Sequence, residues 1–192
     1  NAYMHMEQYE NAKSSYENAI ISNPNFADAH YNLGNACIDV GDYENAEKNY
    51  KSAIAINPNS AEAYYNLGTA QFQLGKLESA VESYQNTIKL MPEYFEAYNS
   101  QSVALKGLDR FSEAVAVLQT AVSLKPDYAE ALKNLGCVYI ELECFDDAIK
   151  SLNKAISLYP DFTDAYINLG IAYEEAGRYE ESIASDEMAL KI

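Results

Sequence analysis

Two ladders of hydrogen-bonding side chains run along this chain at a fixed step. Asparagine stands at Asn32, Asn66, Asn134 and Asn168, with Ser100 in the intervening place, and the step is 34 residues throughout. An acidic residue stands four places before each: Asp28, Glu62, Glu96, Glu130 and Asp164. A primary amide offers two donors and an acceptor. A row of them can pair with the N–H and C=O of an extended peptide whatever side chains that peptide carries. A row of carboxylates attracts lysine and arginine. Each ladder also has a plainer explanation. Carboxylates in a first helical turn match the positive end of the helix dipole, and asparagine can persist in a repeat without a role.

Bond-making chemistry has little to work with. The chain holds two histidines, His5 and His30, and three cysteines, Cys37, Cys137 and Cys144. No HExxH, GxSxG or phosphate-loop pattern occurs, and no cysteine pair has metal-site or thioredoxin-type spacing. His30 falls at a core-type position and is expected to pack as a structural histidine; His5, near the start, is expected to be solvated. A nucleophilic cysteine needs a base within reach, and no histidine is placed to serve Cys137. The expectation is a protein with no catalytic residue, no cofactor and no metal ligands.

Composition narrows the partners. With 13 basic and 29 acidic residues the net charge is −16. Such a chain repels nucleic-acid phosphates and anionic membrane surfaces, so the expected partners are basic or neutral proteins or peptides. At 48% apolar residues a packed core is attainable and disorder is not expected. No apolar run is long enough for a membrane span. The odd cysteine count without metal spacing points to a reducing compartment, and the absence of a signal-like segment to the cytoplasm.

What must position the ladders is written in the same period. All five prolines, Pro24, Pro58, Pro92, Pro126 and Pro160, are 34 residues apart. Leu-Gly recurs at Leu33-Gly34, Leu67-Gly68, Leu135-Gly136 and Leu169-Gly170, and alanine at Ala12, Ala46, Ala80, Ala114 and Ala148 and at Ala19, Ala53, Ala121, Ala155 and Ala189. This pattern resembles the tetratricopeptide repeat family along essentially the whole chain. In residues 27–60 the family's positions are His30, Leu33, Gly34, Cys37, Ala46, Tyr50, Ala53 and Pro58.

The resemblance implies an all-α fold, a right-handed superhelical solenoid of antiparallel helix pairs, A then B, with helix A near 27–40 and helix B near 43–55. A helical glycine costs about 1 kcal/mol against alanine, tolerable where it lets the partner helix approach. Gly34 and Ala46 are expected to be such contact points. Five repeats are expected at 27–60, 61–94, 95–128, 129–162 and 163–192. Residues 1–26 fit the end of a helix A plus a helix B, as if cut from a longer array. Repeat 95–128 departs at Gln101 and Ser102 and is expected to pack slightly off-register; repeat 163–192 departs at Ser182 and Asp186, and the last helix is expected to be the loosest.

In this family the concave wall comes from helices A. The resemblance therefore implies a peptide-binding groove lined by Tyr31, Asn32, Asn35, Tyr65, Asn66, Thr69, Phe72, Asn99, Lys133, Asn134 and Asn168, with Cys137 facing it. The asparagine ladder is similar to that in the superhelical arm of O-linked N-acetylglucosamine transferases. Lys106 and Lys133, set against many carboxylates, disfavour the family's binding of acidic chaperone tails. The expected function is a protein–protein interaction scaffold binding an extended segment. The alternatives are a substrate-recruiting arm of a larger enzyme such as a glycosyltransferase, or a structural array associating head to tail with other copies.

Overall fold

The computed structural model describes residues 2–192, and side chains from Glu10 onward. His5 therefore lies outside the described side chains. The described residues form 11 α-helices and no strand. The chain divides into two compact units, Asn1–Ala97 and Tyr98–Ile192.

In unit 1, α1 (Ala2–Ser22) precedes two helix pairs, α2 (Ala27–Asp39) with α3 (Tyr43–Ile56) and α4 (Ala61–Gln73) with α5 (Leu77–Leu90). α1 is one uninterrupted helix, with no turn between the end of a helix A and a helix B. Helix α6 (Phe95–Lys106) crosses the division. Unit 2 continues with α7 (Phe111–Leu124), the pair α8 (Ala129–Glu141) and α9 (Phe145–Leu158), and the pair α10 (Thr163–Glu175) and α11 (Tyr179–Lys191).

Helices α1, α3, α5, α7 and α9 each stop two residues before a proline, which has no N–H to donate and restricts its neighbour. The A-to-B turn needs one residue at positive φ. Gly41, Gly75 and Gly177 supply it at +71° to +76°, and Asp109 and Glu143 hold the same place at +56°. Two turns are closed by side chains: Asp42 accepts from the Asn45 N–H at 3.3 Å, and Ser60 from the Ala63 N–H at 3.2 Å, the usual N-cap bond.

The cores sit between paired helices. Ala46, Ala80, Ala114 and Ala148 are wholly buried, and Tyr50, Tyr84, Leu118 and Leu152 pack beside them. The close approach at Gly34 is to Tyr50: a Cβ built on this glycine would lie 2.7 Å from the ring. In α11 the large buried residue is replaced by the exposed Asp186, and only Ser182 and Ser185 are buried there. That is the thinnest core face among α3, α5, α7, α9 and α11, because serine and aspartate bring little apolar area to bury.

Candidate functional site

The faces of helices A carry the ladder residues. In unit 1, Tyr31, Asn32, Asn35, Tyr65, Asn66, Thr69 and Phe72 are all half-buried. Several form one network. The Tyr50 hydroxyl donates to Asn35 Oδ1 at 2.8 Å, and Asn66 Nδ2 donates to the same oxygen at 3.0 Å and to the Tyr31 hydroxyl at 3.1 Å. Both hydrogens of the Asn66 amide are thereby used between α2 and α4. A concavity of about 210 Å³ opens beside this network, lined by Asn35, Tyr50, Asn66 and Thr69. The Thr69 hydroxyl bonds its own helix at the Tyr65 carbonyl, 3.2 Å away.

Aromatic rings crowd the same face. Tyr31 lies 5.9 Å from Tyr50 and Tyr65 5.7 Å from Tyr84, ring to ring. Tyr65 also stacks on Tyr94 at 5.0 Å. Burial, and then the proximity of Tyr65, Glu96 and Glu62, push the Tyr94 hydroxyl up to about 12. Tyr94 is absent from the sequence-derived groove. It stands just before helix A, where Phe26, Tyr128 and Phe162 recur, and that recurrence was the available signal.

In unit 2 the ladder repeats with different partners. Asn134 Nδ2 donates to Asn99 Oδ1 at 2.9 Å, a step of 35 residues, the same step as from Asn66 to Tyr31. The next step would join Asn168 to Lys133, but an ammonium has no acceptor to offer. Asn168 turns instead to the Asp164 carbonyl on its own helix at 2.6 Å. Lys133 pairs with Glu130 at 2.6 Å, and Lys106 with Glu141 at 3.6 Å. A cavity of about 220 Å³ is lined by Val103, Lys106, Lys133, Cys137, Ile167 and Asn168, with Asn134 and Asp164 at its side. Burial raises the Cys137 thiol, with Lys106 and Lys133 pulling weakly the other way.

The remaining candidates for chemistry lie apart from the ladders. His30 is half-buried, its Nε2 3.2 Å from the Pro24 carbonyl and its Nδ1 3.5 Å from Asn49 Oδ1. Cys37 is 2% exposed. Among the described residues no cluster of His, Cys, Asp or Glu is arranged to hold a metal ion, and no helix is long and apolar enough to cross a membrane.

Comparisons with known proteins agree with the fold. A TPR repeat profile matches residues 1–37 and 34–75. Tetratricopeptide repeat profiles match 61–94 and 129–162, 95–128, and 151–184. No curated protein sequence matches the chain. Among solved structures, one of MamA is 31% identical, covers 86% of this chain and 90% of its own, and superposes with a TM-score of 0.80. YrrB, described as a TPR protein with an unusual peptide-binding site, is 22% identical over 92% of this chain and 91% of its own, with a TM-score of 0.77. PilF from Pseudomonas aeruginosa is 20% identical over 86% and 75%, with a TM-score of 0.75. At these lower identities YrrB and PilF share the fold with this chain.

Proposed function

Since the chain belongs to the tetratricopeptide repeat family, we propose that it is a protein-interaction scaffold whose helix A faces bind an extended, basic or neutral segment of a partner protein. The observation that carries this is the make-up of the face in unit 1. The carboxylates of Asp28, Glu62 and Glu96 stand there around the rings of Tyr31, Tyr65 and Tyr94. None of the three has an ion-pair partner among the described residues. Unpaired carboxylates steer cationic segments toward the face, and tyrosine rings hold their alkyl stems and charges.

The lysines in unit 2 support the same choice of partner. Lys106 and Lys133 are each engaged by a glutamate of the chain, so an acidic tail finds no free pair of cations. The YrrB structure, similar in fold, supports peptide recognition as a use of such an array. None of Cys37, Cys137 and Cys144 is held in a disulfide, which suits a reducing, cytoplasmic setting.

The test is a pulldown with purified protein, wild type against Asn66→Ala/Asn134→Ala, read by mass spectrometry, with thermal unfolding followed in parallel because both amides bridge helices. Partners lost by a folded double variant make the helix A faces the working surface. Retention of every partner sinks the proposal.

A further inference from the structure

Unit 1 contains a cavity of about 180 Å³ beside Asp28, Tyr31, Ser60 and Glu62, with the methyl groups of Ala53 and Ala63 on its wall. The corresponding positions three repeats further on are Glu130, Lys133, Phe162, Asp164, Ala155 and Ala165. There the chain itself supplies a cation. Lys133 Nζ lies 2.6 Å from Glu130 Oε1, with the lysine side chain only 14% exposed, and 5.8 Å from the centre of the Phe162 ring. In unit 1 the lysine is exchanged for Tyr31, which leans on Tyr50 and bonds Asn66. The phenylalanine is exchanged for Ser60, which is occupied as an N-cap. Neither replacement brings a cation to the cavity, and both carboxylates remain.

From this correspondence we infer that the Asp28–Glu62 cavity takes a lysine side chain of the bound partner, in the place that Lys133 fills from within the chain in unit 2. The inference rests on the proposal that the helix A faces are the binding surface, and it names the side chain recognised there. The methylene stem of the lysine lies along the alanine methyls and the ring of Tyr31, and its ammonium sits between the two carboxylates. Neither carboxylate has a competing partner in the chain: among the described residues no lysine or arginine pairs with Asp28 or Glu62.

The experiment titrates the full chain against a fluorescently labelled peptide of alternating lysine and serine, and against the same peptide with every lysine acetylated, by anisotropy. Asp28→Asn/Glu62→Gln keeps size and polarity and removes both charges; it is expected to weaken the lysine peptide about tenfold, the sum of two exposed ion pairs. Glu78→Gln/Glu82→Gln on α5 removes as much charge away from the cavity and is expected to change little. Tyr31→Lys, which supplies the lysine that unit 2 has at this place, is expected to weaken the peptide as the double variant does. Equal effects of the two double variants overturn the inference, since the attraction is then one of net charge. So does equal affinity for the acetylated peptide, or no binding of the lysine peptide at all. Asn66→Ala, measured alongside, separates the two proposals. Dependence on Asn66 without dependence on Asp28 and Glu62 overturns the lysine site alone. Independence of all three overturns the binding face as well.

Discussion

Gly34 on α2 lies so close to Tyr50 on α3 that a methyl group added to the glycine would sit 2.7 Å from the tyrosine ring. Gly68 stands in the same relation to Tyr84, Gly136 to Leu152, and Gly170 to Asp186. In the first three the opposing side chain is buried and held by its surroundings; in the fourth it is the end of an exposed aspartate.

Gly34→Ala and Gly68→Ala are therefore expected to destabilise by about 1–3 kcal/mol through overpacking, despite a gain of about 1 kcal/mol in helix propensity. Gly170→Ala keeps the propensity gain, because Asp186 can swing away, and is expected to be neutral or stabilising. Urea unfolding of the three variants gives the comparison; equal losses at all three would refute it.

Glu47 is 7% exposed and bonded to Lys51 at 2.8 Å and to Lys76 at 2.6 Å. Burial alone would raise its carboxyl, but the two ammonium groups outweigh it and hold it at about 2, below the ordinary 4.5. A lowered folded-state value stabilises above the unfolded value and is lost as pH falls. Wild type is expected to lose about 2 kcal/mol between pH 5 and 2 through this group, discounted for its half-exposed lysines. Glu47→Gln should start less stable and show a correspondingly flatter pH profile in that window. Parallel profiles for the two proteins would rule this out.

Asn66 spans two helices with both amide hydrogens, whereas Asn168 bonds only its own helix. Asn66→Ala is expected to lower stability by about 1–2 kcal/mol, since it also strips the Asn35 carbonyl and the Tyr31 hydroxyl of a donor. Asn168→Ala is expected to cost less than about 0.5 kcal/mol. Thermal unfolding distinguishes them, and a larger loss at Asn168 would contradict the hydrogen-bond assignment.

The three thiols should separate by burial. Cys144 is exposed, Cys137 is half-buried with its thiol raised, and Cys37 is 2% exposed. Alkylation at mildly alkaline pH, followed by mass spectrometry, is expected to modify Cys144 first, then Cys137, and Cys37 only on unfolding. Early labelling of Cys37 would mean that the α2–α3 core opens readily.

Much of the fold was legible because burial follows a local period. Leu33, Ala46, Tyr50 and Ala53 recur every 34 residues, and the same spacing that marks them as apolar in sequence puts them on the facing sides of α2 and α3. Helix ends were equally legible: proline cannot continue a helix, and the sequence's 27–40 and 43–55 stand as Ala27–Asp39 and Tyr43–Ile56. Less legible was the A-to-B turn, where glycine marked three of five places while Asp109 and Glu143 adopt the same positive φ without any compositional sign.

The sequence by itself determined that these asparagines share one face of successive helices, because a residue's angular position on a helix depends only on its number in the repeat. Which atoms of those asparagines remain available was decided only by the tertiary structure. Whether Asn66 reaches Tyr31 and Asn35, or Asn168 falls back on Asp164, depends on what stands across the gap between two helices. A hydrogen bond forms or fails within a few tenths of an ångström, a distance that no spacing along the chain encodes. The same holds for the lysine of unit 2 and the cavity of unit 1: the period makes the two places equivalent, and only the packing shows Lys133 set against Glu130 and Phe162 in one of them.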